Sequence, residues 1–146
     1  MSLSNIFNVA GSGMNAQSVR LNTTASNIAN AETASSSIDQ VYRGRHPVFS
    51  AVQASVLAGQ QGGLQQQNPD SIGVQVQGIV ESNAPLQPRY EPHNPNSNEE
   101  GYVYYPNVNI VEEMTNMISA SRSFQVNVEV MNAAKQMVQR VLTLGQ

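Results

Sequence analysis

The distribution of proline constrains this chain more than any other feature of its sequence. All seven prolines lie between Pro47 and Pro106, so both ends of the 146-residue chain lack one. Because proline breaks helix interiors, we predict terminal helices in residues 1–31 and 109–146, and strands, turns and loops in residues 32–108. We therefore expect an α+β fold of three regions with these boundaries, in which long N- and C-terminal helices flank a small β-rich, loop-rich middle.

The N-terminal segment repeats an apolar residue every seven positions, as do helices that pack along another helix. This row consists of Phe7, Met14, Leu21 and Ile28. Gly11 and Gly13 each weaken a helix by about 1 kcal/mol relative to alanine. Since the segment also lacks a charged face for solvent, we expect it to fold and become buried only on assembly.

The C-terminal segment is the stronger helix prediction. One row of residues seven apart is Ile110, Met117, Phe124, Met131 and Val138, and a second is Met114, Ser121, Val128, Lys135 and Leu142. Asn109 followed three residues later by Glu112 resembles a capping box at the start of this helix. At 1.5 Å per residue, a helix over residues 110–144 would be about 50 Å long. This length favours a coiled coil between the terminal helices, with Leu21 and Ile28 facing these apolar rows.

The middle region contains three segments that are typical of strands. The first surrounds residues 46–49. The second covers residues 72–80, where apolar and polar residues alternate, and the third covers residues 102–105, just before Pro106. Residues 59–67 (GQQGGLQQQ) are of low complexity and predict a flexible loop.

Charged residues make up only 12% of the chain, and this scarcity limits the kinds of partner that it can bind. Seven Lys and Arg residues are too few for the basic surface that nucleic-acid binding requires, so we expect no nucleic-acid partner. Arg20 is the only charge within residues 1–31. We expect it to pair with Glu112, Glu113 or Glu129, or with a carboxylate of a neighbouring chain.

Three absences narrow the classes of protein further. The chain has no cysteine, which excludes disulfides, thiolate metal sites and a cysteine nucleophile. No apolar run approaches the roughly 20 residues of a membrane-spanning helix, and a basic amphipathic face is missing, so we expect no membrane insertion. The N-terminus does not resemble a secretory signal, so any export would follow another route.

The titratable residues form no recognisable catalytic or metal-binding pattern. His93 lies near Glu91, Glu99 and Glu100, but their spacing matches no ligand motif and the stretch is rich in proline. Serines 35–37 lack the turn that exposes a catalytic serine, and no phosphate-binding glycine loop is present. We therefore expect no catalytic residue, no cofactor and no metal. An enzyme that acts on peptidoglycan would need a catalytic acid in a cleft, and the sequence offers no candidate for it.

Both ends of the chain resemble the bacterial flagellar rod and hook proteins. The run Ser18–Ala31 (SVRLNTTASNIANA) contains the A-x-N-apolar-A-N core of their N-terminal signature, which includes Asn27, Ile28 and Asn30. Residues 101–127 resemble the matching C-terminal region. The resemblance covers about 31 residues at the start and 46 at the end, and the middle matches more loosely.

Within that family, the short chain and its two extreme ends are similar to the proximal-rod members. The resemblance implies terminal helices that stack as the inner wall of a tubular drive shaft for motility, and no enzymatic activity. It implies a place in the basal body, across the periplasm, after export by the flagellar type III apparatus without a cleaved signal. The implied partners are further copies, other rod proteins, the adjoining distal rod, and the junction with the MS ring and export gate.

We expect the assembly interface to consist of the apolar rows and the signature asparagines. These residues are Phe7, Met14, Leu21, Asn27, Ile28, Asn30, Met114, Met117, Phe124, Val128, Met131, Val138 and Leu142. One alternative is a sister rod or hook-type subunit. Another is an adaptor whose two helices grip a partner coiled coil without polymerising. Assembly together with sister rod proteins would distinguish the polymerising subunit from the adaptor.

Overall fold

The computed structural model describes residues 3–52 and 73–144, and it confirms the predicted α+β class. Helix α1 (Leu3–Asn30) is followed by a short 3₁₀ turn (Ile38–Gln40). Four strands come next, and helix α2 (Ile110–Leu144) is last. The strands are β1 (Arg45–Val52), β2 (Gly73–Glu81), β3 (Gln87–Tyr90) and β4 (Tyr102–Tyr105). The predicted flexible loop at 59–67 lies outside the described residues.

Helices α1 and α2 pack against each other in antiparallel directions. A Cβ atom on Gly13 would lie 3.0 Å from Asn127 Nδ2, and further along α1 the Arg20 guanidinium donates to Asn116 Oδ1 at 2.8 Å. The residue number therefore rises along α1 while it falls along α2. The asparagine half of the predicted capping box is confirmed, because Asn109 Oδ1 accepts the Val111 N–H at 3.1 Å.

Strands β1 and β2 form an antiparallel hairpin that lies along α1. Its register runs from Arg45 opposite Glu81 to Val52 opposite Gly73, with an irregularity after Val48. The hairpin and α2 both contact α1. The expectation that α1 becomes buried only on assembly was therefore wrong in part, because one chain already supplies two partners for this helix.

Strands β3 and β4 form a second antiparallel pair, with Gln87 opposite Tyr105 and Tyr90 opposite Tyr102. The sequence predicted β4 but not β3, which contains Pro88. Proline cannot donate a ladder hydrogen bond, yet each strand of a two-stranded sheet has an outer edge where no donor is needed. The pair therefore accommodates this proline.

Among the residues that the structure describes, the buried apolar side chains are alanines, valines and one proline. They are Ala10, Ala16, Ala31, Val41, Val103, Pro106, Val108, Ala120 and Ala134. Among the residues whose burial the structure describes, every leucine, isoleucine, methionine and phenylalanine is half-buried or exposed. Large apolar residues normally fill a domain core. In this chain they remain accessible to other molecules.

Candidate assembly surface

Small and polar residues occupy the line where the two helices approach most closely, which we call the helix seam. Ala120 and Ala134 lie seven positions on either side of Asn127 and are almost fully buried, so they share its face of α2. Direct contacts place Gly13 and Arg20 of α1 and Asn116 and Asn127 of α2 in the seam. By helical spacing, the buried residues on the same sides of the two helices also belong to it: Ala10, Thr24 and Asn27 on α1, and Glu113, Ala120 and Ala134 on α2. Small side chains allow the two helix backbones to lie close together.

Arg20 has a different partner from the one predicted. Its guanidinium donates to the side-chain oxygen of Asn116 at 2.8 Å, in a partly buried position. Among the described residues, the ion pair that the structure contains joins Arg45 and Glu81 instead, at 3.0 Å. The expected pairing of Arg20 with Glu112, Glu113 or Glu129 of its own chain was therefore wrong, since a neutral amide fills this place in the seam.

The large apolar rows lie beside the seam residues and are only partly covered within the chain. The α1 row is half-buried, and it consists of Phe7, Met14, Leu21 and Ile28. The α2 row is also half-buried, and it includes Met117, Phe124, Met131 and Val138. Leu21 and Ile28 lie three positions before and four positions after the buried Thr24, so they share its side of α1. Their predicted contact with the apolar rows of α2 remains a prediction.

The second predicted row of α2 lies still farther from the seam. Val128 is half-buried, but Met114 is 53% exposed and Leu142 is 67% exposed. Neither of these two side chains contributes substantially to the pairing of the helices within the chain. Their place in an interface between chains remains a prediction.

Asn27 binds the hairpin to α1 from a completely buried position. Its Nδ2 donates to the Arg45 carbonyl at 2.8 Å, and its Oδ1 accepts the Arg45 N–H at 2.9 Å and the Tyr42 hydroxyl at 2.8 Å. Arg45 is the first residue of β1. These bonds all lie within the chain and attach the hairpin to α1, and a role of Asn27 in an interface between chains remains a prediction.

Tyr42 completes this connection through its hydroxyl group. Burial raises the pKa of Tyr42 above its usual value of 10.0, and the nearby Glu113 and Glu81 carboxylates add to this effect. The Arg45 guanidinium, 5.4 Å from the centre of the Tyr42 ring, acts in the opposite direction. The hydroxyl therefore keeps its proton at neutral pH and can donate it to Asn27.

The far end of the hairpin has a contact of its own with α1. The Val74 N–H donates to Ser12 Oγ at 3.2 Å, and a Cβ atom on Gly73 would lie 2.7 Å from that oxygen. The hairpin is therefore attached to α1 near both of its ends.

The second signature asparagine stabilises the end of α1. Asn30 is half-buried, its Nδ2 donates to the Ser26 carbonyl at 2.8 Å, and its own carbonyl accepts the Thr33 hydroxyl at 2.7 Å. Both side-chain bonds are local, so they belong to the turn that follows the helix.

Glu91, one of the three carboxylates near His93, forms structural hydrogen bonds. Glu91 accepts hydrogen bonds from Asn94 Nδ2 at 2.9 Å and from the Tyr105 hydroxyl at 3.3 Å. Across residues 3–52 and 73–144, no three His, Asp or Glu side chains converge as metal ligands would. The described helices also include none that is long and apolar enough to span a bilayer.

Sequence reasoning missed the seam because it searched for large apolar residues. The missed row of α2 is Glu113, Ala120, Asn127 and Ala134, which repeats every seven positions as regularly as the row that was found. A search for small residues at this spacing would have identified Ala120 and Ala134. No sequence signal links Asn27 to Tyr42 and Arg45, because that contact depends on the path of the chain after α1.

Comparison with known proteins agrees with the resemblance at both ends. Residues 7–34 match the family model "Flagella basal body rod protein", and residues 99–144 match "Flagellar basal body rod FlgEFG protein C-terminal". The matched regions contain most of α1 and all of α2.

Relatives named "Flagellar basal-body rod protein FlgC" align with the whole chain. The protein of Salmonella typhimurium is 47% identical over 146 residues, and that of Yersinia enterocolitica is 45% identical over 146 residues, with complete coverage of both chains in each case. The protein of Borreliella burgdorferi is 36% identical over 151 residues, which cover 100% of this chain and 99% of the relative. This chain therefore belongs to the FlgC family of flagellar basal-body rod proteins.

Proposed function

We propose that this rod protein is a structural subunit of the proximal rod and polymerises through its terminal helices into the tubular drive shaft. The observation that carries the proposal is the exposure of its large apolar side chains. Phe7, Met14, Leu21 and Ile28 flank the seam on α1, and Met117, Phe124, Met131 and Val138 flank it on α2, all of them half-buried. Large apolar side chains that stay accessible along both helices are typical of a surface that another protein covers.

The seam and the flanking rows have different tasks in this proposal. The seam joins α1 and α2 within the chain through close backbone approach and polar contacts such as Arg20 with Asn116. The flanking rows then contribute apolar area to contacts with neighbouring chains, where its burial supplies the main driving force for association. The interface therefore needs both helices of each subunit.

The small core supports the proposed route of export. A chain that buries few large apolar side chains gains little free energy on folding, so it unfolds readily. We propose that it passes through the flagellar type III apparatus unfolded and without a cleaved signal, and folds where it assembles in the periplasm. Its partners there would be further copies, sister rod proteins, the adjoining distal rod, and the junction with the MS ring and export gate.

Replacement of Phe124 by alanine tests the assembly surface. Truncation of a fully buried phenylalanine lowers the free energy of unfolding by about 3–5 kcal/mol. Because Phe124 is only half-buried, Phe124→Ala should lower that of the isolated chain by much less. It should nevertheless remove the chain from basal bodies and abolish swimming. The matched control is Gln125→Ala, since Gln125 is the next residue of α2 and is exposed.

Three measurements separate the outcomes: thermal unfolding of the purified variants, a blot for the chain in isolated basal bodies, and swimming in soft agar. We expect both variants to unfold near the wild-type temperature and only Phe124→Ala to fail in cells. Normal swimming with wild-type amounts of Phe124→Ala in basal bodies would show that this row is not the assembly surface.

A further inference from the structure

The side chain of Asn107 joins the base of the β1–β2 hairpin to residues 106–109, which link β4 to α2. Its Oδ1 accepts the Gly44 N–H at 2.8 Å. Its Nδ2 donates to the Ser82 carbonyl at 3.2 Å and to the Ala84 carbonyl at 2.9 Å. Both hydrogens of the amide are therefore donated, and its oxygen accepts a hydrogen bond as well.

These bonds reach both strands of the hairpin at once. Gly44 directly precedes β1 and Ser82 directly follows β2, and the Ser82 N–H donates to the Gly44 carbonyl at 2.7 Å. By contrast, the bonds from Asn27 reach β1 and the bond from Ser12 reaches β2. Asn107 thus holds the two strands together and ties their common base to the start of α2.

The backbone around Asn107 gives this side chain a firm support. Pro106 and Val108, its two neighbours in sequence, are both buried. Gly44 is buried as well, and a Cβ atom on it would lie 3.5 Å from Val108 Cγ2 and 3.6 Å from Asn107 Oδ1. Because packing fixes the link on both sides of the amide, a change in the direction of the hairpin would have to break its hydrogen bonds.

We propose that Asn107 is a positioning residue that fixes the direction of the hairpin relative to the helix pair, and that incorporation into the rod depends on this direction. Subunits of a helical polymer repeat the same contacts, so an element that pivots would not meet every neighbour in the same way. The hairpin is accessible to neighbours, since Ile79 is 53% exposed and Val80 is 55% exposed. The proposal rests on the rod function proposed above and names a residue that prepares the subunit for assembly.

Replacement by aspartate tests the amide without changing the size of the side chain. In Asn107→Asp a carboxylate still accepts the Gly44 N–H, but it has no hydrogen for the Ser82 and Ala84 carbonyls, and its charge repels both oxygens. The matched control is Asn109→Asp, two positions further on. Asn109 Oδ1 only accepts a backbone N–H at the start of α2, which aspartate does equally well.

Hydrogen exchange of the full purified chain reports on the hairpin and the helices separately. We expect the amides of β1 and β2 to exchange about tenfold faster in Asn107→Asp than in the wild type, as for groups that lose hydrogen-bond partners. The amides of α1 and α2 should exchange as in the wild type, and Asn109→Asp should match the wild type throughout. Asn107→Ala removes the same bonds without adding a charge and should accelerate the same amides.

The second readout is a blot for the chain in isolated basal bodies, together with swimming in soft agar. We expect Asn107→Asp and Asn107→Ala to be made but to be lost from basal bodies, whereas Asn109→Asp swims normally. Unchanged exchange in the hairpin, or equal acceleration in both helices, would refute the positioning role. Faster exchange in the hairpin with normal incorporation would refute the dependence of assembly on it. Absence of the wild-type chain from basal bodies would refute the rod function instead.

Discussion

Two glycines of α1 differ sharply in the space around them, and this difference predicts different effects of the same substitution at the two positions. A Cβ atom on Gly11 would have no neighbour within 4 Å, whereas on Gly13 it would lie 3.0 Å from Asn127 Nδ2 and 3.3 Å from its Cγ. Replacing a helical glycine by alanine stabilises a helix by about 1 kcal/mol. Gly11→Ala should therefore raise the free energy of unfolding by about that amount.

At Gly13 the same gain is opposed by crowding in the seam. Gly13→Ala should leave the free energy of unfolding nearly unchanged, because Asn127 must move to admit the new methyl group. The larger Gly13→Val should lower it by about 1–3 kcal/mol, the range for overpacked sites, and Gly11→Val should remain within about 0.5 kcal/mol of wild type.

Urea unfolding followed by circular dichroism at the helix band measures all four variants on one scale. The comparison between positions cancels the helix propensity of each new residue, so the remaining difference reports the contact between α1 and α2. If Gly13→Ala stabilises the chain as much as Gly11→Ala, the helices do not touch at this point and the seam is misplaced.

Three further predictions concern the polar contacts. Asn27→Ala removes the partner of three partly buried hydrogen-bonding groups and should lower the free energy of unfolding by about 3 kcal/mol, whereas Asn30→Ala should cost at most about 1 kcal/mol in the same urea experiment. Arg20→Gln should cost about 1 kcal/mol and weaken rod incorporation while export stays normal, with the exposed Arg122→Gln as the neutral control. The raised pKa of Tyr42 should make stability fall as pH rises above 10, through the pKa of the folded state, and Tyr42→Phe should show a shallower fall across that range.

The helices could be predicted because local rules determine them. Prolines occur only in the middle region and so mark its limits. The side chain of Asn109 caps α2, and apolar residues repeat along both terminal segments. Strand β3 could not be predicted in this way, since Pro88 within it weighs against a strand unless a partner such as β4 is already known.

The candidate site was harder to predict than the fold. Periodicity identifies a helical face, but it does not say whether the large or the small members of neighbouring rows lie at the closest approach. In this chain Gly13 lies against Asn127 and Ala120 is fully buried, whereas the neighbouring Phe124 is only half-buried. The partner of Arg20 depended on the relative position of the two helices, which the sequence does not contain.

An image of an intact basal body, at a resolution that shows side chains, tests the central claim most directly. The account predicts that the chain lies in the wall of the rod as a helix pair, with the half-buried rows of Leu21 and Phe124 covered by neighbouring subunits and the seam unchanged within each subunit. A chain placed in the rod with these rows facing solvent, or with α1 paired to another subunit instead of its own α2, would contradict it.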